Sequence, residues 1–485
     1  YYLLYNLIML ENEEIIVKIE SFSNLGFAVA KIDGFVIFVE GACPDDEVKI
    51  KITKVKKNYA YAKVIEIITP SPHRIQPFCP MQKVCGSCQL GFIDYDYQLE
   101  LKQKIVQDAI NKIGKLNIKI PKPIESPQKL EYRHKIQCPV SQTKISKRLL
   151  AGYYKPATHE IVNIKYCPIQ PKICDEIIEY IRKTAFDCRI SGFDEKKHAG
   201  DLRHIVIRSS VHTNKNLVIL VVNATKTFER LNNFAKAIYN EFEEVSGVCV
   251  NFNSKKTNVI LGNKTECIAG QNFIEEKLTD KIFKVGANTF FQVNPQSAEN
   301  IFAYVKNYIK NNFKNPIVLD AYAGIGAFGI VLSDVCKNTV CVEENKESCT
   351  LAQKSIELNA INKITIKCED ANKFFNETQN KFDIVIVTDG SDKSYNEIYE
   401  TIKKGETYNF NGTDYTESGI YTATFHTAEY NCDSVVTLHL KVDETAVDNV
   451  FDISIDIVPN PVTTGATAYI YGNFTEIVKV DVINS

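Results

Sequence analysis

The feature that most constrains the fold is a strand, a glycine-rich turn and a helix that follow one another between residues 317 and 333, with further strand–helix alternation after them. The pattern predicts a helix at 298–310, strands at 317–320, 339–343, 364–368 and 382–387, and a helix at 346–359. Parallel neighbouring strands need a crossover connection, which is usually a helix. The order therefore predicts a doubly wound parallel sheet over residues 281–387.

The glycine-rich turn is a candidate binding site for a nucleoside cofactor. Gly324 and Gly326 let the backbone approach a ligand closely, and Glu343 ends the next strand about 20 residues on, where a carboxylate can take ribose hydroxyls. Asp370 follows the third strand and is placed to bind an adenine amino group. The turn lacks the full dinucleotide fingerprint and the lysine of a P-loop, so S-adenosylmethionine fits better than NAD or ATP. A sheet without a ligand is the alternative.

The N-terminal residues 9–70 are predicted to form a small β-barrel of the OB type. Short alternating runs between residues 14 and 69 are separated by glycines, which is typical of about five short strands. Tyr59 and Tyr61 lie among several lysines, a pattern typical of a face that follows phosphates and stacks bases. A solvated lysine-rich strand pair is the alternative.

Three cysteines lie close together after this segment. Cys79, Cys85 and Cys88 have the spacing C-x5-C-x2-C, and Cys167 repeats the Cys-Pro context of Cys79. Four sulfurs can hold zinc or a four-iron cluster, and spacing alone does not separate the two. Scattered buried thiols are the alternative. The chain has 15 cysteines, an odd and uneven set that is a poor disulfide framework and favours reduced thiols in the cytoplasm.

The composition changes sharply at Thr388. Residues 388–485 hold 5 lysines, no arginine and 16 acidic residues, a net charge of −11, whereas residues 1–387 carry +9. The basic part suits a nucleic-acid partner, and the acidic tail, rich in Thr, Tyr and Asn, predicts short strands only. No apolar run approaches the roughly 20 residues that span a bilayer, so no membrane partner is expected. Met9 is a plausible start, which would make residues 1–8 upstream translation.

Taken together, these motifs resemble the RNA uracil-C5 methyltransferase family, and in particular its iron–sulfur members that methylate 23S ribosomal RNA. The resemblance covers residues 11–387. It implies an N-terminal TRAM domain at 9–70, an α/β domain at 71–280 with the iron–sulfur loop and RNA contacts, opened by Glu131–Lys135, and a Rossmann-like class I methyltransferase domain at 281–387. It also implies a [4Fe-4S] cluster rather than zinc, with four ligands: Cys79, Cys85, Cys88 and Cys167.

The resemblance extends to the cofactor residues. Phe290–Asn294 matches the family motif F-x-Q-V-N, which implies that Gln292 contacts S-adenosylmethionine. Tyr322, Glu343 and Asp370 fall at the other cofactor positions, whereas Ala327 stands where several members have a polar residue. A cytoplasmic monomer that binds RNA, expected to be 23S rRNA, is implied.

The family mechanism implies a cysteine that adds to C6 of the uracil and a carboxylate that removes the C5 proton after methyl transfer. The family's Asp-Pro-Pro-Arg should follow Val387, but Thr388-Asp389-Gly390 stands there instead. The only thiol beyond this point, Cys432, lies in the wrong context for the nucleophile. The sequence therefore identifies no catalytic residue, the methyltransferase domain is expected to be incomplete, and the chain as written is expected to be inactive.

The tail resembles a different kind of protein. Residues 388–442 look like a β-repeat of secreted Bacteroidetes-type surface proteins, and 443–485 look like part of a C-terminal secretion-sorting domain. One interpretation is that two reading frames or contigs are joined near residue 388. Two alternative functions remain: a non-catalytic RNA-binding iron–sulfur protein, and a secreted surface protein on the basis of the tail alone.

Overall fold

A computed structural model describes residues 10–23 and 26–389, and beyond them only strand segments between residues 395 and 482 with few intervening residues. The chain divides into two compact units, Tyr1–Thr388 with Ile457–Ser485, and Asp389–Asp456. No helix among the described residues is long and apolar enough to cross a membrane.

The N-terminal part is a six-stranded sheet that curls around its own core. Its strands are β1 (Glu14–Lys18), β2 (Ser21–Phe22), β3 (Ala28–Ile32), β4 (Phe35–Glu40), β5 (Glu47–Val55) and β6 (Tyr59–Thr69), in the order β1-β5-β6-β4-β3-β2. Alternate residues of β5, Val48, Ile50 and Ile52, are fully buried in that core. The predicted small all-β unit is confirmed, with one more short strand than expected.

Asp46, in the turn before β5, fastens this sheet to the segment that follows β6. Its fully buried carboxylate accepts hydrogen bonds from the backbone N–H groups of Cys43 (2.6 Å) and Ser71 (2.8 Å). The Arg74 guanidinium binds the same carboxylate through Nε and Nη2, the latter at 2.7 Å. A buried carboxylate is tolerated only when paired and hydrogen-bonded in this way.

The central part begins with α1 (Tyr95–Asp108), which runs into a π-helical turn at Ala109–Ile113. A seven-stranded sheet then contains β7 (Lys135–Gln142), β8 (Leu149–Tyr154), β9 (Ile161–Asn163), β10 (Leu202–Ser209), β11 (Asn216–Val222), β12 (Val245–Phe252) and β13 (Lys264–Gly270), in the order β13-β12-β11-β10-β7-β8-β9. The helices α2 (Lys172–Asp187) and α3 (Glu229–Glu241) contribute their apolar faces to the same core as this sheet.

β11 contributes to two cores because its side chains alternate between the faces of the sheet. Every residue of the strand is buried. Val218, Leu220 and Val222 pack in the core that includes α2 and α3. Leu217, Ile219 and Val221 pack in a second core that continues into the C-terminal α/β part. The two cores therefore pack against opposite faces of the same strand in this sheet.

The α/β part starts with the hairpin β14 (Phe273–Leu278) and β15 (Lys281–Gly286). It continues with α4 (Pro295–Asn312), β16 (Ile317–Ala321), α5 (Ala327–Leu332), β17 (Asn338–Val342), α6 (Lys346–Leu358), β18 (Ile364–Lys367), α7 (Ala371–Glu377) and β19 (Ile384–Asp389). These four strands are parallel and ordered β18-β17-β16-β19. The predicted parallel α/β architecture is confirmed. Helix α4 starts three residues earlier than predicted because Asn294 caps it by accepting a hydrogen bond from the Ser297 N–H.

Every element described beyond residue 389 is a strand. β20 (Tyr395–Lys403), β24 (Asp433–Asp443) and β23 (Gly419–His426) form one sheet, and β21 (Tyr408–Phe410) pairs with β22 (Thr413–Tyr415). β25 (Ala466–Ile470) and β26 (Val480–Val482) follow β19 in the order of the parallel sheet. The domain limits at 388–442 and 443–485 remain predictions.

Replacing Asp46 by Asn should destabilise the N-terminal part by about 3 kcal/mol, because the Arg74 guanidinium loses its buried partner. Chemical unfolding followed by circular dichroism measures the change. Glu14→Gln is the control, since its ion pair with Lys49 is solvent-exposed and its loss should be undetectable. Equal unfolding midpoints for Asp46→Asn and the wild type would contradict the role given to Asp46.

Candidate functional site

The candidate cofactor site lies at the C-terminal end of β16, where the chain turns sharply into α5. Tyr322, Gly324 and Gly326 have φ angles of 58°, 58° and 74°. This left-handed region suits glycine but is unusual for tyrosine. The Ala323 N–H donates to the Val342 carbonyl at 2.9 Å, which ties the turn to the end of β17. The turn thus lies at the edge where open parallel sheets bind ligands, with Tyr322 exposed and Gly324 partly exposed.

Glu343 holds the turn in this conformation. Its Oε2 accepts a hydrogen bond from the Gly324 N–H at 2.8 Å, and its Oε1 accepts one from the Asn345 N–H at 2.8 Å. Each carboxylate oxygen can accept a second hydrogen bond. The side chain predicted to bind ribose therefore also fixes the glycine backbone against which a ribose would lie.

Asp370 and Tyr322 bring the loop after β18 to the same edge. Asp370 caps α7 by accepting from the Lys373 N–H at 2.8 Å. The Tyr322 hydroxyl lies 3.5 Å from Oδ1 of Asn372, two residues beyond this cap. The predicted residues Tyr322, Gly324, Glu343 and Asp370 therefore belong to one connected loop cluster.

Gln292 approaches the turn from the segment before α4. The neighbouring Phe291 and Val293 are buried, and the Val293 carbonyl accepts from the His134 N–H at 2.7 Å. A β-carbon placed on Gly324 would lie 3.9 Å from the Phe290 carbonyl, so this segment faces the turn. Within the described part of the chain, the buried Oε1 of Gln292 has no hydrogen-bond partner. An orphaned amide oxygen is costly, and a ligand donor would satisfy it.

Asp320, the penultimate residue of β16, is a polar residue of this region that the sequence did not assign to the site. It is fully buried, and burial raises the pKa of its carboxyl to about 7. Its Oδ2 accepts from the Gly329 N–H at 3.2 Å, which links β16 to α5 beneath the turn. Its position just before the glycine turn, as the one carboxylate in an apolar strand, is the signal that could have identified it.

The four predicted sulfur ligands line one cavity. Cys79, Cys85 and Cys88 reach it from the loop after β6, and Cys167 reaches it from the segment before α2. Burial raises the pKa of Cys88 to about 11 and that of Cys167 to about 12. No group of three or more Cys, His, Asp or Glu within the described ranges has the arrangement of a formed metal site. All four side chains nevertheless line the same space and are of the donor type that sulfur-bound metal groups take.

An aromatic cluster lies on the N-terminal sheet, formed by four side chains: Phe27, Phe38, Tyr59 and Tyr61. The ring centroids of neighbouring members are 5.5–6.4 Å apart. All four rings are partly exposed. The sequence pattern predicted the tyrosines but not the phenylalanines. Phe38 joins the cluster through the strand register, because it lies on β4 opposite Tyr61 on β6.

Some predicted features lie outside the described residues. Cys432 and most of the segments that resemble secreted proteins are among them. Asp389 has a described backbone in β19, but its side chain is outside the description.

The buried Asp320 should make stability depend on pH. The pKa of its carboxyl is raised above the unfolded value, so the folded chain holds this proton more tightly and its stability falls as pH rises from about 4 to 7. Asn carries no titrating proton, so the Asp320→Asn variant should retain roughly 2–4 kcal/mol of the stability that the wild type loses as pH rises. Unfolding free energies of both proteins at pH 5 and pH 8 test this, and the difference between them isolates Asp320. Parallel pH profiles would contradict the assignment.

Comparison with known proteins gives two family matches. Residues 10–65 match the TRAM domain, and residues 296–408 match the TRM5/TYW2 methyltransferase domain, a match that continues past residue 388. An uncharacterized RNA methyltransferase of Halalkalibacterium halodurans is 33% identical over 364 residues, which are 75% of this chain and 79% of the relative. One of Clostridium acetobutylicum is 34% identical over 354 residues, covering 72% and 76%.

A solved structure has the same fold over much of the chain. It is the Pyrococcus abyssi tRNA (uracil-54, C5)-methyltransferase in complex with S-adenosyl-L-homocysteine, with a TM-score of 0.60, 21% identity and coverage of 77% of this chain and 89% of that one. Together with the TRAM domain, the relatives show that this chain belongs to a family of RNA methyltransferases.

Proposed function

We propose that S-adenosylmethionine binds at the loop cluster of Tyr322, Gly324, Glu343 and Asp370, and that the family reaction is C5 methylation of a uridine in RNA, with 23S rRNA as the substrate class. The observation that carries the cofactor assignment is the buried, unpartnered Oε1 of Gln292, in the segment that lies against a glycine turn that Glu343 holds in place. The solved relative with S-adenosyl-L-homocysteine supports the cofactor class.

Each residue of the cofactor site has a separate task in this proposal. Gly324 offers partly exposed backbone against which the cofactor lies, Gly326 allows the left-handed turn into α5, and Glu343 accepts from the ribose hydroxyls. Asp370 binds the adenine amino group, and Gln292 Oε1 accepts from the ammonium group of the methionine part. When bound, the cofactor supplies an electrophilic methyl group on a sulfonium.

The uracil chemistry needs groups that have not been located in this chain. In the proposed reaction a thiolate would add to C6, and C5 would take the methyl group from the sulfonium, which would leave as S-adenosylhomocysteine. A carboxylate would then remove the C5 proton as the thiolate is expelled from C6. Thr388-Asp389 stands where the family's Asp-Pro-Pro-Arg is expected, and Cys432 lacks the nucleophile's context. We therefore propose that this chain binds the cofactor but does not transfer the methyl group.

Cofactor binding is tested by calorimetry with S-adenosyl-L-homocysteine. Glu343→Gln should weaken binding by roughly tenfold or more, because the neutral amide binds the ribose hydroxyls and the Gly324 N–H less strongly than a carboxylate. Gln353→Glu, on the exposed face of α6, is the control and should leave affinity unchanged. Equal affinity for Glu343→Gln and the wild type would contradict the proposed site.

Methyl transfer is tested by tritium release from RNA labelled at uracil C5, with 23S rRNA and tRNA transcripts compared. We expect no turnover with either RNA. Restoring the family's nucleophile segment after Val387 should produce turnover on one of them. Turnover by the unchanged chain would contradict the proposed inactivity, and the RNA that reacts would identify the substrate class.

The four-cysteine cavity is proposed to hold a [4Fe-4S] cluster, with zinc as the alternative. Cys79, Cys85, Cys88 and Cys167 would be the ligands, and the bound group would join the loop after β6 to the segment before α2. The donor set supports this, because four thiols line one cavity.

Iron, sulfide and zinc analysis of anaerobically purified protein, with its visible absorbance spectrum, tests the cluster. Cys88→Ser should abolish the iron content and the broad absorbance band. Cys138→Ser is the matched control, because Cys138 is buried but is not among the residues that line the cavity. Zinc in place of iron would refute the cluster while retaining the ligand set.

The aromatic cluster on the N-terminal sheet is proposed as the base-stacking part of the RNA surface. Tyr59→Ala should weaken RNA binding by roughly 1–3 kcal/mol, the usual value of one stacked base. Tyr239→Ala on α3 is the control, since that ring is 36% exposed and far along the chain from the cluster. Fluorescence anisotropy with single-stranded RNA measures both, and unchanged affinity for Tyr59→Ala would exclude stacking there.

A second candidate is a non-catalytic RNA-binding iron–sulfur protein, favoured by the missing nucleophile motif. RNA binding without methyl transfer, even after the nucleophile segment is restored, would support it. A cytoplasmic monomer is proposed for residues 1–387 in both cases.

The origin of the tail is a separate proposal. A junction near residue 388 is supported by the charge change and by the unit boundary between Thr388 and Asp389. The family match to residue 408 and the place of β25 and β26 in the sheet order weigh against it. Sequencing the source DNA across the junction decides the matter, because one continuous gene would exclude an assembly error.

A further inference from the structure

A pair of cysteines lies on the central sheet, and neither is among the residues assigned to the cofactor site or to the four-cysteine cavity. Cys249 on β12 is paired with Cys267 on β13 in the antiparallel register of these strands. Facing residues of antiparallel strands lie about 4.5–5.5 Å apart at their α-carbons, which is within the range that a disulfide bridges. The backbone therefore places these two sulfurs where a bond between them can form.

The two thiols differ in their surroundings. Cys249 is fully buried, whereas Cys267 is exposed. The register shifts between Val248 and Cys249, so that an additional residue of β13 lies beside the pair. At this irregularity Cys267 Sγ lies 3.4 Å and 3.3 Å from the carbonyl oxygens of Ala269 and Gly270. One sulfur is thus accessible to solutes, whereas its neighbour is shielded from them.

The contact between the two thiols shifts their pKa values in opposite directions. A hydrogen bond from the Cys249 thiol lowers the pKa of Cys267 to about 7, and the same contact and burial raise the pKa of Cys249. An exposed cysteine with a low pKa beside a second thiol is the arrangement found in redox-sensing proteins.

We propose that Cys249 and Cys267 form a peroxide-sensitive dithiol that closes reversibly to a cross-strand disulfide. The Cys267 thiolate attacks hydrogen peroxide, which gives a sulfenic acid and releases hydroxide. The Cys249 thiol then attacks that sulfur, an S–S bond forms, and water leaves. The proton that Cys267 loses on ionising joins the released hydroxide, so the two thiols together lose two electrons and two protons and the peroxide becomes two waters. A cellular dithiol restores the reduced pair by thiol–disulfide exchange.

The first experiment uses the full chain, reduced and then treated with hydrogen peroxide. Peptide mapping by mass spectrometry without reductant should find one Cys249–Cys267 cross-link that dithiothreitol removes. Peptide assignment keeps this bond separate from oxidation at the four-cysteine cavity. No cross-link, or irreversible oxidation of Cys267 without one, would overturn the proposal.

The second experiment measures alkylation of individual cysteines by iodoacetamide at pH 7. Cys267 should react at least roughly tenfold faster than Cys188, whose pKa burial raises above its usual value. Equal rates at the two positions would overturn the proposal, because no activated thiol would then be present.

Two variants of Cys249 separate the hydrogen bond from the disulfide. Cys249→Ser keeps a donor, so Cys267 should remain fast, whereas Cys249→Ala removes the donor and should slow it severalfold. Both variants should lose the cross-link and leave a Cys267 sulfenic acid that dimedone traps. Equal alkylation rates in the two variants would show that Cys249 does not activate Cys267 and would overturn that part of the proposal. If either variant fails to fold, the peptide mapping of the wild-type chain decides whether the disulfide forms.

Discussion

Burial of β11 on both faces is the constraint on which the arrangement of the described domains depends. Seven consecutive residues, Asn216–Val222, are buried, and the six apolar side chains from Leu217 onward alternate between two apolar cores. One core joins the sheet to α2 and α3, and the other joins it to the α/β methyltransferase domain. Because the same backbone serves both cores, the central domain and the methyltransferase domain are fixed to a common sheet, and the segment with Gln292 can face the glycine turn.

At the candidate cofactor site, apolar packing positions the strands and polar contacts fix the conformation of the turn between them and the helix. Packing brings β16 and β17 side by side, but the conformation of the turn depends on the Glu343 carboxylate accepting from the Gly324 N–H. Beneath it, Asp320 binds the Gly329 N–H from a fully buried position. One carboxylate binds the backbone of the turn and the other binds the start of α5, so the surface proposed for the cofactor is formed before any ligand arrives.

Local sequence was sufficient for the elements and for the family. Alternation along β5 and the strand–helix order after residue 298 each follow from short-range periodicity, and the observed bounds differ from the predicted ones by a few residues. Capping explains one difference, since the side chain of Asn294 starts α4 before its apolar pattern begins. Long-range register was not predictable: the contact of Phe38 with Tyr61 and the pairing of Cys249 with Cys267 join residues 23 and 18 positions apart. The site residues taken from motifs form one loop cluster, although their roles in binding remain proposals.

The sequence by itself determined the parallel α/β domain and the β-domain before it, because local periodicity encodes them. It also indicated the family and the four cysteines that line one cavity, through motifs and the resemblance that they carry. Only the tertiary structure decided that Glu343 supports the turn, that Asp320 is buried beneath it and that Cys249 lies opposite Cys267. The physical reason is that burial, hydrogen-bond partners and strand register depend on residues far apart in the chain, which local periodicity does not encode.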